Sequence, residues 1–197
     1  KTGSKLRGLG VLVTRPAHQA EPLCQRIAAA GGRPVRFPLL VIRDNSETPE
    51  VMRQLQRLAG YHILIFASPN AVHYGLQALQ RHGGLPAGAQ LAAVGRGTAR
   101  ALSERLGRAP ELVPGSQFDS EGLLALPGLQ AVRGKRILIL RGNGGRELMA
   151  ATLRDRGAQV DYAEVYMREP PDTAAAETGW LGKTDIITVT SLSLIHI

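Results

Sequence analysis

Short apolar, β-branched runs alternate along this chain with longer segments in which apolar residues recur every three or four positions. That alternation predicts an α/β protein with parallel sheets. The runs that predict strands are Val11–Thr14, Ile63–Phe66, Leu91–Val94, Ile137–Leu140 and Ile186–Val189, each followed within two residues by Gly, Ser or Arg. Between them, helical periodicity predicts helices at Ala20–Ala30, Val51–Ala59, Ala71–His82, Thr98–Leu106, Glu121–Leu124 and Arg146–Arg156. Several run into glycine, the residue a left-handed helix stop favours: Gly31 and Gly32, Gly60, Gly83 and Gly84, Gly107 and Gly157.

The pattern also repeats. Displacing Val11–Arg43 by 126 positions lays Arg15 on Arg141, Leu12 on Leu138, Glu21 on Glu147 and Gly31 on Gly157 without a gap. At a displacement of 123, His62–Ser68 falls on Asp185–Ser191. Two echoes at nearly one spacing predict two related strand-turn-helix units. After each copy of the first unit comes an extended stretch marked by proline, which disfavours helix at the residue before it. These stretches, 37–44 and 159–171, read as paired linker strands. The resulting parse is nested, with one lobe at 45–158 inserted into another built from 8–36 and 172–197.

Composition narrows the class. With 44% hydrophobic residues, 4% aromatics and 23 glycines the chain reads as a soluble globular protein rich in tight turns. No apolar run is long enough to cross a bilayer and the first thirty residues lack a secretory core, so no membrane partner and a cytoplasmic address are expected. The single cysteine, Cys24, has no disulfide partner and reads as a small hydrophobe on a helix. Of 24 basic residues 20 are arginines, against 16 acids, for a net charge of +8. Arginine's planar fork suits carboxylates and phosphates, which points to an anionic partner. The basic residues are scattered, with no basic stripe interleaved with aromatics, which argues against nucleic acid.

Candidate chemistry lies after the strands. Gly142-Asn-Gly-Gly145 and Gly95-Arg-Gly97-Thr98 each precede a helix, where backbone N–H groups can cradle an anion, or the glycines serve turn geometry alone. Neither completes a dinucleotide fingerprint: Arg100 and Glu147 stand where third glycines belong, which weighs against a nucleotide-dependent enzyme. Ser68 caps a helix directly after a strand, the usual ligand position in such sheets, and has no histidine and acid arrangement to make it a nucleophile. The five histidines lack zinc-site spacing. Tyr162 and Tyr166 share the second linker, and their even spacing puts them on one face of a strand. The bare sequence does not choose between them.

The ordered series Val13-Thr-Arg-Pro16, Phe37-Pro-Leu, Phe66-Ala-Ser-Pro-Asn-Ala-Val72, Ala93-Val-Gly-Arg-Gly-Thr-Ala99, Ile139-Leu-Arg-Gly142 with Arg146, Val165-Tyr166 and Asp185-Ile-Ile-Thr-Val-Thr-Ser191 resembles the uroporphyrinogen-III synthase family from Gly8 to Ser191. Ala67 and Arg96 depart from the family's usual residues. The resemblance implies two flavodoxin-like (Rossmann-like) lobes, one inserted into the other and joined by two linker strands, with a cleft for hydroxymethylbilane. That substrate carries eight carboxylates, which gives arginines and helix-start amides a purpose. The reaction implied is loss of the terminal hydroxyl to an azafulvene and closure through a spiro intermediate that inverts ring D, with no metal and no organic cofactor. Carried over by motif, Tyr166 rather than Tyr162 bonds the leaving hydroxyl, and Arg15, Ser68, Asn70, Gly95, Thr98, Arg141, Gly142 and Ser191 line the cleft. A monomer is expected, with transient contact with hydroxymethylbilane synthase as a further expectation.

By the second echo a helix start should follow Ser191. The chain instead ends Leu-Ser-Leu-Ile-His-Ile, the residues a sequencing adapter would encode, and a carboxyl-terminally truncated protein is expected. The rival reading from another class is a two-lobed intracellular small-anion-binding or sensory module without catalysis.

Overall fold

A computed structural model describes residues 5–171 and 182–189. The chain divides into two compact units, one formed by 1–43 with 168–197 and one by 44–167. The described elements are β1 (Gly10–Val13), α1 (Ala17–Ala29), β2 (Arg33–Arg36), β3 (Val41–Asp44), α2 (Pro49–Leu55), a 3-10 turn (Leu58–Gly60), β4 (Ile63–Phe66), α3 (Pro69–Arg81), β5 (Gln90–Ala93), α4 (Arg96–Leu106), α5 (Ser120–Leu124), α6 (Pro127–Gln130), β6 (Arg136–Gly142), α7 (Leu148–Asp155), β7 (Gln159–Glu169) and β8 (Ile186–Thr188). No helix among the described residues is long and apolar enough to cross a membrane.

In the first unit the described strands form a parallel sheet in the order β2-β1-β8. Val11 and Val13 pack with Ala20, Cys24 and Ile27 of α1, so Cys24 is the core hydrophobe its sequence context predicts. Gly10 lets β8 approach: a Cβ there would lie 1.7 Å from the carbonyl oxygen of Lys183. Thr14 just after β1 is buried, and its hydroxyl donates to the carbonyl of Thr188 at 2.7 Å.

The larger sheet has the order β3-β7-β6-β4-β5, in which β7, β6, β4 and β5 are mutually parallel. Every residue of β4 is fully buried, which explains its unbroken apolar run: helices cover both faces of the sheet. Ile63, Ile65, Ile137 and Ile139 face α5, α6 and α7 through Leu123, Leu124, Leu129, Met149 and Leu153. On the other face α3 lies so close that a Cβ on Gly75 would stand 2.8 Å from a Leu140 methyl and 3.3 Å from the Phe66 ring. Each fully buried aliphatic side chain here stabilises the unit by about 1.5–3 kcal/mol relative to exposure.

Two expectations need correction. The stretch after Ala158 does not stand outside a domain: β7 runs eleven residues and is hydrogen-bonded along β6, with Val160, Ala163, Val165 and Tyr166 buried. Tyr162 and Tyr166 do not share a face. Arg141 pairs with Glu164 but Gly142 pairs with Tyr166, so Val165 is an extra residue and the strand bulges. Side chains alternate with a period of two, and one inserted residue therefore moves everything after it to the opposite face. Tyr162 joins the α7 side with Ile139, whereas Tyr166 meets α3.

Candidate functional site

The site residues come from carboxyl ends of neighbouring parallel strands, where open α/β sheets place ligands. Ser68 follows β4 and is the N-cap of α3, with its Oγ accepting from the Ala71 amide at 3.1 Å. The same Oγ lies 2.9 Å from the Tyr166 phenol oxygen, and either group can donate. Tyr166 is 1% exposed, its ring stacks on Tyr74 of α3 at 6.0 Å between centroids, and its carbonyl accepts from the Asn143 amide at 3.1 Å. The ring lies across Gly142, where a Cβ would be 2.4 and 2.5 Å from two ring carbons and 2.9 Å from the hydroxyl. Only glycine allows that approach.

Asn70 occupies the first turn of α3 and is half-buried. Gly95 caps α4 after β5, with extended φ −148° and ψ 170°. Thr98, in the first turn of α4, is buried. The starts of α3 and α4 adjoin, since a Cβ on Gly97 would be 3.7 Å from the Pro69 ring. Two helix N-termini of thirteen and eleven residues thus converge beside Ser68, and their dipoles favour negative charge.

The remaining candidates lie elsewhere. Arg15 is half-buried just after β1, in the first unit. Ser191 lies outside the described residues. Arg141 is on the α7 side of the sheet, and its guanidinium is held by acids. Its Nε and Nη2 donate to Glu164 Oε1 at 3.3 and 3.0 Å, and Nη2 also reaches Glu147 at 3.2 Å. The guanidinium lies 3.6 Å over the Tyr162 ring. Sequence reasoning missed Tyr74, Glu164 and Glu147. Tyr74 had one available signal, its place six residues after the Ser68 cap, while Glu164 reveals itself only through cross-strand register and Glu147 only through the turn that starts α7.

Glu147 also accepts from the Tyr162 hydroxyl at 2.9 Å. That hydrogen bond, helped by the Arg141 hydrogen bond and charge, holds its carboxyl below the ordinary 4.5 against the opposing effect of desolvation. Burial first, and then the Glu147 bond, push the Tyr162 phenol up. A depressed carboxyl pKa contributes stability that is present above the unfolded value and lost as pH falls through the folded one. Glu147→Gln should therefore be less stable than the parent at about pH 6, with the gap narrowing in urea titrations as the pH falls below the ordinary carboxylate range. A gap independent of pH would show that the Glu147 charge adds nothing.

A family model described as uroporphyrinogen-III synthase HemD matches residues 21–196. The uroporphyrinogen-III synthase of Salmonella typhimurium is 40% identical over 161 residues, covering 81% of this chain and 65% of the relative. That of Proteus mirabilis is 38% identical over 161 residues, covering 81% of this chain and 80% of the relative. Among solved structures, a mutant uroporphyrinogen III synthase from the extremely thermophilic bacterium Thermus thermophilus aligns with a TM-score of 0.66 and 24% identity over 91% of this chain and 71% of that one, a likeness of fold. The chain spans less than two thirds of the length of the Salmonella relative.

Proposed function

The chain belongs to the uroporphyrinogen-III synthase family, and from that premise we propose that it cyclises hydroxymethylbilane to uroporphyrinogen III with loss of water and inversion of ring D. The observation that carries this reading is the Ser68–Tyr166 hydrogen bond of 2.9 Å, set beside two converging helix N-termini. Ser68 Oγ already accepts from the Ala71 amide, so its own proton can go to the phenol oxygen. The phenol can then donate to the departing hydroxyl of the substrate. As the C–O bond breaks, driven by the electrons of the terminal pyrrole, that oxygen leaves as water; the pyrrole N–H then returns a proton to the tyrosinate, giving the azafulvene, which closes through the spiro intermediate. Tyr166 is the catalytic residue in this account.

The helix-start amides around Ser68, Asn70, Gly95 and Thr98 would hold substrate carboxylates, and Gly142 would keep the Tyr166 ring in place. Arg15 would bind a further carboxylate. Because unaided closure gives the wrong isomer, folding and positioning of the substrate matter more than acid strength. In the same reading both nested lobes are flavodoxin-like, the inserted one running on through β7 rather than ending at 158; the division of the chain near residues 43 and 167 supports the nesting.

Product analysis tests the proposal. Incubated with hydroxymethylbilane, the protein should yield the type III isomer with no added metal or nucleotide, and a sensory module would yield only the type I isomer. Exclusive type I product, or a requirement for a chelatable metal, overturns the assignment.

A further inference from the structure

Arg141 and Glu164 form the last regular pair of β6 and β7 before the register skips Val165 and sets Gly142 opposite Tyr166. Their side chains occupy the face of the sheet away from the Tyr166 ring, beside Tyr162 and α7. The Arg141 side chain is 12% exposed, and one of its nitrogens, Nη1, is buried with no hydrogen-bond partner among the described residues. Its other two donors go to Glu164 and Glu147. A guanidinium committed in this way is a clamp between strands. The feature it clamps decides on which face of the sheet the Tyr166 hydroxyl emerges, because without the bulge Tyr166 would follow Tyr162 and Glu164 onto the α7 side.

We propose that Arg141 and Glu164 are positioning residues for the reaction: their cross-strand ion pair pins the bulge at Val165 and so presents the Tyr166 hydroxyl to Ser68. This rests on the reading of Tyr166 as catalytic, and it assigns Arg141 a role without contact with substrate. A carboxylate-binding Arg141 would act chiefly on KM, since it would hold ground and transition states alike, whereas a positioning Arg141 acts on kcat.

The test compares the full chain with Arg141→Met, Glu164→Gln, Tyr166→Phe and the double variant Arg141→Met/Tyr166→Phe. Amide hydrogen exchange is read first, in the absence of substrate. The Asn143 amide, which donates to the Tyr166 carbonyl, should exchange at least about tenfold faster in Arg141→Met, while the Ala67 amide, bonded to Leu140 on the β4 side, should keep its protection. In turnover with hydroxymethylbilane, Arg141→Met should lose about 10²-fold in kcat, the scale of a small misplacement of a catalytic group, with KM within about twofold of the parent. In the Tyr166→Phe background the same change should cost less than about twofold, because no hydroxyl remains to misplace. If Arg141→Met does not fold, Glu164→Gln keeps the shape, removes the charge and carries the same comparison.

Unchanged Asn143 exchange overturns the proposal whatever the activity. So does a rise in KM at constant kcat, or an equal loss of kcat with and without the Tyr166 hydroxyl. Should Tyr166→Phe alone retain full kcat, the catalytic reading of Tyr166 fails, and the catalytic consequence proposed for the pair fails with it, while the exchange data still report whether the pair holds the bulge.

Discussion

Tyr166→Phe is expected to lower kcat by roughly 10²–10⁴-fold, the range typical of a positioned proton donor, in a protein that still folds. The ring stays where it is, stacked on Tyr74 and lying across Gly142, and only the hydroxyl is lost. Ser68 keeps its capping bond to the Ala71 amide, so α3 retains its start. Stability should nevertheless fall by about 0.5–1.5 kcal/mol, since a hydrogen bond at a residue only 1% exposed is removed. A tyrosine in an exposed linker would barely move stability on losing its hydroxyl; burial is what changes that expectation. Tyr162→Phe is the control, because it loses a bond to the exposed Glu147 on the opposite face and should leave kcat intact. Melting temperature and single-turnover rate on one preparation decide the matter. A lowered melting temperature with parental turnover would make Tyr166 a stitch between β7 and α3 and nothing more.

The second large effect belongs to Gly142. Gly142→Ala puts a methyl group 2.4–2.9 Å from the Tyr166 ring and hydroxyl, well inside contact distance. The ring is enclosed and must move. Overpacking of this kind costs about 1–3 kcal/mol, and a shift of the hydroxyl of about 1 Å is enough to cost on the order of 10²-fold in rate. The expected result is a protein destabilised within that range, with kcat reduced and KM little changed. Parental kcat in a variant destabilised to that extent would separate the position of the hydroxyl from the chemistry.

How far the sequence can be read follows from which interactions are local. The strand Ile63–Phe66 is legible to the residue because burial on both faces leaves an uninterrupted apolar run. Helix bodies are legible from their periodicity, while the starts of α1 to α4 lie two to three residues earlier than apolar residues alone suggest and that of α7 lies two residues later. The first turns are Pro49-Glu50, Pro69-Asn70 and Arg96-Gly97, polar or prolyl positions that caps favour and apolar periodicity ignores. The short α6 at Pro127–Gln130 escapes such reading because four residues hold too little pattern. Ser68 is legible as a cap, and its position after a strand marks it as a candidate. Its pairing with Tyr166 across 98 positions is not. The face on which Tyr166 stands depends on one unpaired residue, Val165, and nothing in the local composition of Glu164-Val-Tyr166 announces a bulge. Arg141 illustrates the reverse case: its sequence context suggests a ligand for anions, and two acids, Glu164 across the strand pair and Glu147 at the start of α7, supply the anions from within the protein.

The nesting of one unit within the other has a consequence for synthesis. β1 is bridged to β8 by a hydrogen bond from the Gly10 amide to Asp185, 175 residues away, so the amino-terminal β1-α1-β2 segment emerges from the ribosome long before that partner exists. Residues 44–167, by contrast, are contiguous and can fold as they emerge. Once folded, that unit holds its entry and exit together, with the Asn45 amide on the Val165 carbonyl at 3.0 Å, and just outside it Arg43 bonds Glu169 at 2.5 Å. A chain closure that would have spanned 175 residues is thereby shortened to the few dozen on either side, and the entropy of closure falls with it. The order of assembly is written into the nesting: the interior segment of the gene product matures first and serves as the splint on which the two ends of the chain find each other.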